Sequence, residues 1–276
     1  MILSIWTDAW CLVIYEVRKV MLIRGEVDLR DAIEILCYPS HESFREECQK
    51  RIETLEKIGV EKIYHYGESL VKNFRVVGKG HAAVVVLARH RIYGDVALKI
   101  RRFDSKRDSL EKEGELLRKA EVSGYTPRVF EYSRDFIVRE YVNGSRLIDF
   151  LRKNIGRVDF IRRVTRSLIY SSYILDNLMI EIQEIYRPDK QVIVRNNDPD
   201  KIVYIDLESA RLNNYSSNLT KILGYMLHRE IEGIGILDLL NIDSSKRVVL
   251  RELARSYKRD LLRREKIVEE ILRILG

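Results

Sequence analysis

The chain has 276 residues, of which 46% are hydrophobic and 33% charged. That is enough to bury a core in one large domain or two modest lobes, and it excludes a disordered chain. A net charge of +7, from 49 Lys and Arg against 42 Asp and Glu, favours anionic partners such as nucleotide phosphates, nucleic acid or acidic protein, although a solubilising surface carries the same sign.

Residues 1–25 read as a strand or mixed apolar segment, with Met21 as an alternative start. The apolar run 9–15 is too short to cross a bilayer, lies between Asp8 and Glu16 and follows no basic start, so neither membrane insertion nor secretion is expected. Cys11, Cys37 and Cys48 cannot all pair and show no Cys-x-x-Cys spacing, which fits buried or incidental thiols in a reducing, cytoplasmic compartment. As a zinc site, Cys37, His41 and Cys48 would lack a fourth ligand.

Helical spacing over 28–37 and 43–58 predicts two short helices joined at Pro39, so that residues 1–64 form a partly helical N-terminal extension. β-Branched runs at 71–77, 83–91 and 96–100, separated by Gly-containing turns, predict an antiparallel meander. A helix then ends near Gly124, ahead of Pro127, and strand character returns at 136–141. Helices are predicted at 147–153 and 160–178, a hairpin at 192–194 and 202–205 turned by 196–199, and a helical remainder ending in the basic segment 246–275. A strand-rich half followed by a helix-rich half implies an α+β fold in two lobes.

Gly78-Lys79-Gly80-His81 occupies a turn between two strands, where glycines let the backbone bring N–H groups close to a phosphate. Alone, the turn equally suits an ordinary hairpin. In the next strand Val96, Leu98 and Ile100 face one side, and Ala97 and Lys99 the other. A lysine directed inward needs an anionic partner; a solvated strand face would not. On the following helix Glu113 shares a face with Leu110, Leu117 and Ala120, whereas Glu115 lies among Glu111, Lys112, Arg118 and Lys119. Glu113 therefore points toward the core, and an inward Lys99 and an inward Glu113 on consecutive elements are what a lysine–glutamate pair holding ATP phosphates needs.

Further on, Gln191 precedes one strand of the second hairpin and Asp206 follows the other, so antiparallel pairing brings both to the same open end. Hard oxygen donors there suit Mg²⁺ or Mn²⁺ held against ATP; an aspartate capping the strand end is the plainer alternative.

The Gly-rich turn, Val96-Ala97-Leu98-Lys99, the inward Glu113 and the hinge-like segment Arg139-Glu140-Tyr141-Val142-Asn143-Gly144 together resemble the protein kinase superfamily. The closer resemblance is to the predicted archaeal serine/threonine kinases of atypical type, RIO-like and KEOPS-kinase-like, through the Gly78–His81 turn, the Ala97–Arg102 strand and an Arg-Pro-x-Lys catalytic segment at Arg187–Lys190. It covers roughly residues 35–230.

The resemblance implies a bilobal fold with a β-rich N-lobe at 65–144 and a reduced helical C-lobe at 145–276. It also implies ATP contacts at Gly78, Lys79, Gly80, Val85, Ala97, Lys99, Glu140 and Val142, metal ligation by Asp206 and Gln191, and a catalytic set of Glu184, Lys99, Glu113 and Asp206. Asp206-Leu207-Glu208 stands where Asp-Phe-Gly is usual. The catalytic loop departs further: Ile182 replaces histidine, Glu184 the catalytic aspartate and Gln191 the metal-binding asparagine. A glutamate can still orient a hydroxyl, with its carboxylate one methylene further out. No proline follows Pro199, so an Ala-Pro-Glu docking segment is absent from the chain.

The expected activity is thus ATP-dependent phosphorylation of serine or threonine, on a protein substrate or on the chain itself. A pseudokinase scaffold and small-molecule phosphotransfer are the rival readings. The tail 246–275 reads as amphipathic helices covering the C-lobe, with nucleic acid or a ribonucleoprotein as the alternative partner of its basic face.

Overall fold

The computed structural model describes residues 25–40 and 42–276; the run 9–15, Met21, Cys11 and His41 lie outside the described residues. The chain mixes helices and sheets and divides into two compact units. One runs up to Glu111 and adds Phe130–Tyr141; the other joins Lys112–Val129 to Val142–Gly276.

The first unit contains β1 (Gly25–Asp28), α1 (Ile33–Leu36), α2 (Arg45–Ile58), β2 (Val60–His65), β3 (Ser69–Val71), β4 (Phe74–Val76), β5 (Gly78–Lys79), β6 (Ala83–His90), β7 (Gly94–Arg101), β8 (Val129–Tyr132) and β9 (Phe136–Glu140). A seven-stranded sheet among the described residues runs β1-β2-β6-β7-β9-β8, with β5 against β6. Alternation of side chains decides its faces. Val84, Val86 and Ala88 of β6, Val96, Leu98 and Ile100 of β7, and Phe136 and Val138 of β9 share one side. They form one buried cluster with Leu36, Cys37, Cys48, Ile52 and Leu55. Each such fully buried aliphatic side chain contributes about 1.5–3 kcal/mol.

Three sequence expectations are corrected here. The helix expected over 28–37 shrinks to α1, because residues 25–28 pair with β2 and the Asp28 carbonyl accepts the N–H groups of Asp31 and Ala32 at 3.1 and 3.0 Å, closing a turn. The strand expected over 71–77 is the hairpin β3–β4, reversed at Lys72, whose φ is 51°. Cys37 and Cys48 are not thiols but a buried disulfide joining the segment after α1 to α2, and the inference of a reducing compartment from cysteine usage loses its footing. The bond also removes two of the three zinc ligands considered above.

The second unit contains α3 (Glu111–Ala120), β10 (Gly144–Arg146), α4 (Leu147–Lys153), α5 (Val158–Asn177), β11 (Ile180–Ile182), β12 (Val192–Arg195), β13 (Ile202–Tyr204), β14 (Ala210–Leu212), α6 (Asn218–His228), β15 (Glu230–Ile231), β16 (Ile234–Gly235), α7 (Ile236–Leu239), α8 (Ser244–Arg259) and α9 (Arg264–Leu275). Short sheets β10-β12-β13 and β11-β14 carry the turns that hold Glu184, Gln191 and Asp206. Gly144 is required in β10: its φ is 146°, and a Cβ there would lie 2.1 Å from the Val194 carbonyl oxygen.

Helix α5 is the centre of this unit, burying Ile161, Val164, Leu168, Ile169 and Leu175. The basic tail folds as the amphipathic pair α8 and α9. These helices bury Leu250, Leu253, Tyr257, Ile267, Val268, Ile271 and Leu275, α8 against α6 and α9 against α5. Arg162 and Arg166 of α5 donate to the Leu275 and Leu272 carbonyls at 3.2 and 2.6 Å, satisfying acceptors that the end of α9 leaves open. No helix among the described residues is long and apolar enough to cross a membrane.

Candidate active site

In the first unit, Gly78 pairs with Val85 and Lys79 with Val84, making a tight β5–β6 turn. The Gly80 N–H donates to Ala83 O at 2.8 Å, and Arg102 Nη1 donates to Gly80 O at 2.9 Å. The Gly80 amide, expected to meet a phosphate, therefore closes the turn instead. Neither glycine is demanded by the fold. An added Cβ would lie 4.0 Å from the Val85 side chain at Gly78 and 3.4 Å from Ala83 O at Gly80, and neither residue has positive φ.

Register places Val85 opposite Lys99, Leu87 opposite Ala97, and Ile137 opposite Lys99, so Val85, Ala97 and Lys99 share the sheet face opposite the main core. Lys99 is 5% exposed. Glu140 ends β9 opposite Val96 and lies with the other face.

The second unit brings the acidic residues together. The β12–β13 hairpin is antiparallel, with Val192 opposite Tyr204, and Ile205 N–H donates to Gln191 O at 2.8 Å. Gln191 and Asp206 thus leave the hairpin at one end, as antiparallel pairing requires. Val142 packs beside this hairpin with Ile193, Val203 and Ile205. Asp206 then turns the chain, its Oδ1 accepting the Glu208 N–H at 3.0 Å. Carboxylate oxygens of Asp206, Glu208 and Glu113 all lie within 4.8 Å of one another. Glu113 is 2% exposed. Three like charges this close repel strongly in a low-dielectric setting, and hard oxygen donors are what Mg²⁺ or Mn²⁺ requires, so the cluster fits a divalent cation. Glu208 was not foreseen as a member; its position where glycine is usual was the only signal.

Glu184 sits in the turn after β11 and is exposed, its N–H donating to Ser209 Oγ at 3.2 Å. Buried groups that sequence reasoning missed fix this turn from below. Asn218, the first residue of α6, accepts the Ile182 N–H at 2.9 Å and donates to Ile180 O at 2.7 Å, holding the edge of β11 that β14 leaves open. Asp176 in turn accepts from Ser216 Oγ, the Asn218 and Leu219 N–H groups and Tyr257 Oη, at 2.6–3.2 Å. It acts as a remote cap for α6. Burial raises the Asp176 pKa, against the lowering effect of these hydrogen bonds. The Ser216-Ser217-Asn218 run is the signal that could have marked this helix start.

Between Ile180 and Ile182, burial alone would raise the pKa of Glu181. Hydrogen bonds from Asn213, Lys221 and Arg211, with the Lys221 charge, outweigh it and hold the carboxyl at about 2. Lys221 Nζ also donates to Ile182 O at 3.1 Å, binding α6 to the turn that carries Glu184.

A groove of about 970 Å³ opens beside Glu184 and Gln191, floored by the side of α6. Within it Tyr225 Oη donates to Asp189 at 2.6 Å, and burial together with that bond pushes the phenol pKa up.

No family model matches the chain, and no curated protein does. Among solved structures it matches the crystal structure of a Stt7 homolog from Micromonas algae soaked with ATP, at 14% identity and a TM-score of 0.42, over 50% of this chain and 49% of that one. The chain thus spans about half the length of that protein.

Proposed function

We propose that the chain is an ATP-dependent serine/threonine protein kinase of the atypical, reduced kind, with its β-rich lobe at 65–144 and its helical lobe at 145–276. The observation that carries the reading is the cluster of Glu113, Asp206 and Glu208 carboxylates at the end of the β12–β13 hairpin, on the segment where a kinase holds the cation that neutralises ATP phosphates.

In this reading a Mg²⁺ held by Asp206 with Glu208, Glu113 and Gln191 would neutralise charge on the phosphates. Lys99 contacts the α/β-phosphates, the β5–β6 turn covers them, and Val85, Ala97 and Val142 border the base, with Glu140, whose side chain lies with the other sheet face, contributing only its main chain. Glu184 accepts the proton of the acceptor hydroxyl as its oxygen attacks the γ-phosphorus; the bond to the β,γ-bridging oxygen breaks and ADP leaves. A cytoplasmic location is compatible with the Cys37–Cys48 bond if the protein is heat-adapted, since intracellular proteins of hyperthermophiles are disulfide-rich.

The test is transfer of label from [γ-³²P]ATP with Mg²⁺ or Mn²⁺, to the chain itself or to a mixed serine/threonine peptide pool. Lys99→Ala and Asp206→Ala should each reduce transfer by about 10²–10³, and Glu184→Gln should abolish transfer while nucleotide binding persists. Undiminished transfer in both the Lys99 and the Asp206 variants would refute the site. Nucleotide binding without any transfer by the wild type would instead identify a pseudokinase scaffold.

A further inference from the structure

The groove beside Glu184 carries an imbalance of charge. Its lining includes four permanent cations, Arg187, Lys190, Lys221 and Arg229, against the carboxylates of Glu184 and Asp189. Two of the cations are neutralised locally. Lys221 lies 3.0 Å from Glu181, and Arg229 lies 2.9 Å from Asp189, which also accepts the Tyr225 hydroxyl. Arg187 and Lys190 are exposed and have no acidic partner among the described residues.

Both stand on the short connection between Glu184 and Gln191. Its backbone is held in consecutive turns, Arg187 N–H donating to Glu184 O at 3.0 Å and Gln191 N–H to Pro188 O at 3.1 Å, around a buried Pro188. Arg187 and Lys190 thus line the same groove as Glu184, the one carboxylate that would receive the acceptor's proton. The Arg187 guanidinium lies 5.4 Å from the Tyr186 ring centroid, and Tyr186 itself lines the groove.

We infer that this groove binds an acidic peptide segment, and that Arg187 and Lys190 select serine or threonine flanked by aspartate or glutamate. The inference rests on the kinase reading and deepens it by naming the acceptor. A volume of about 970 Å³ stands at the top of the range occupied by small ligands, and it is open along a chain segment, which suits several residues of an extended peptide. Charge complementarity of this kind sets both encounter rate and discrimination, and it weakens with added salt.

The experiment uses the full chain and three serine peptides of equal length, with acidic, amide or basic flanks. Transfer from [γ-³²P]ATP is measured together with binding of the same peptides, fluorescein-labelled, by polarisation without nucleotide. The acidic peptide should show a KM at least tenfold below that of the amide peptide, with a difference that shrinks between 50 and 500 mM NaCl. Arg187→Gln/Lys190→Gln should erase the preference, and Arg187→Glu/Lys190→Glu should turn it toward the basic peptide, both read by polarisation without nucleotide as well as by KM, with melting temperature unchanged.

Equal use of all three peptides by an active wild type overturns this inference and leaves the kinase reading standing. So does an acidic preference that survives charge reversal. Absence of transfer with acid-selective polarisation that Arg187→Glu/Lys190→Glu inverts has the opposite meaning: the groove's selectivity holds and the enzymatic reading fails.

Discussion

Glu181 shows how a single buried carboxylate can be both structural and informative about pH. Its side chain is 9% exposed and meets Arg211 at 2.9 Å and Lys221 at 3.0 Å, and its pKa falls from 4.5 to about 2. A depressed carboxyl stabilises the fold above its unfolded pKa and loses that effect as pH falls through the folded value. Glu181→Gln should therefore cost about 3 kcal/mol at pH 7, with the gap to wild type closing between pH 4.5 and about 2. Denaturant melts at pH 7 and near pH 2.5 measure it; a gap that persists undiminished in acid would show that packing, not charge, is at work. At this scale the sequence was legible where periodicity governs direction: Val96, Leu98 and Ile100 join the core and Lys99 faces away from it, while Glu113 is buried on α3. It was not legible for Asn218, Asp176 or Glu181, because their partners come from distant segments and no local spacing encodes them.

Among elements, those long enough to display a period were readable. α5 and the β6–β7 pair match their sequence patterns closely, and so does the β12–β13 hairpin that aligns Gln191 with Asp206. Three-residue strands such as β10 and β11 show no period at all, and their existence depends on partners β12 and β14. The segment 25–64, read as a partly helical extension, also supplies β1 and β2 to the main sheet, because pairing with β6 decides its conformation where local propensity is ambiguous. The Cys37–Cys48 bond belongs to this scale as well. It closes a loop of sequence separation 11, worth about 3 kcal/mol through restriction of the unfolded chain. Dithiothreitol should lower the melting temperature by roughly 5–10 °C, and Cys48→Ala should melt at the same lower temperature with or without reductant. Equal melting of reduced and oxidised wild type would mean that the bond adds nothing to stability.

For the molecule as a whole, the two units are each built around their own apolar cluster, and the acidic trio lies entirely within the second. Its members come from α3 and from the turn after β13, segments far apart in the chain that meet only when that unit is folded. A divalent ion seated there behaves as a removable cross-link, and an unfolded chain offers no comparable seat. Under the proposed reading, mass action would make thermal endurance a readout of dissolved magnesium: a concentration one hundred times the dissociation constant would add about 2.7 kcal/mol. Calorimetric scans across a magnesium series should climb logarithmically, and Asp206→Asn should flatten the climb. Stability would then be set in part by a dissolved ion, through three carboxylates that no stretch of sequence places side by side.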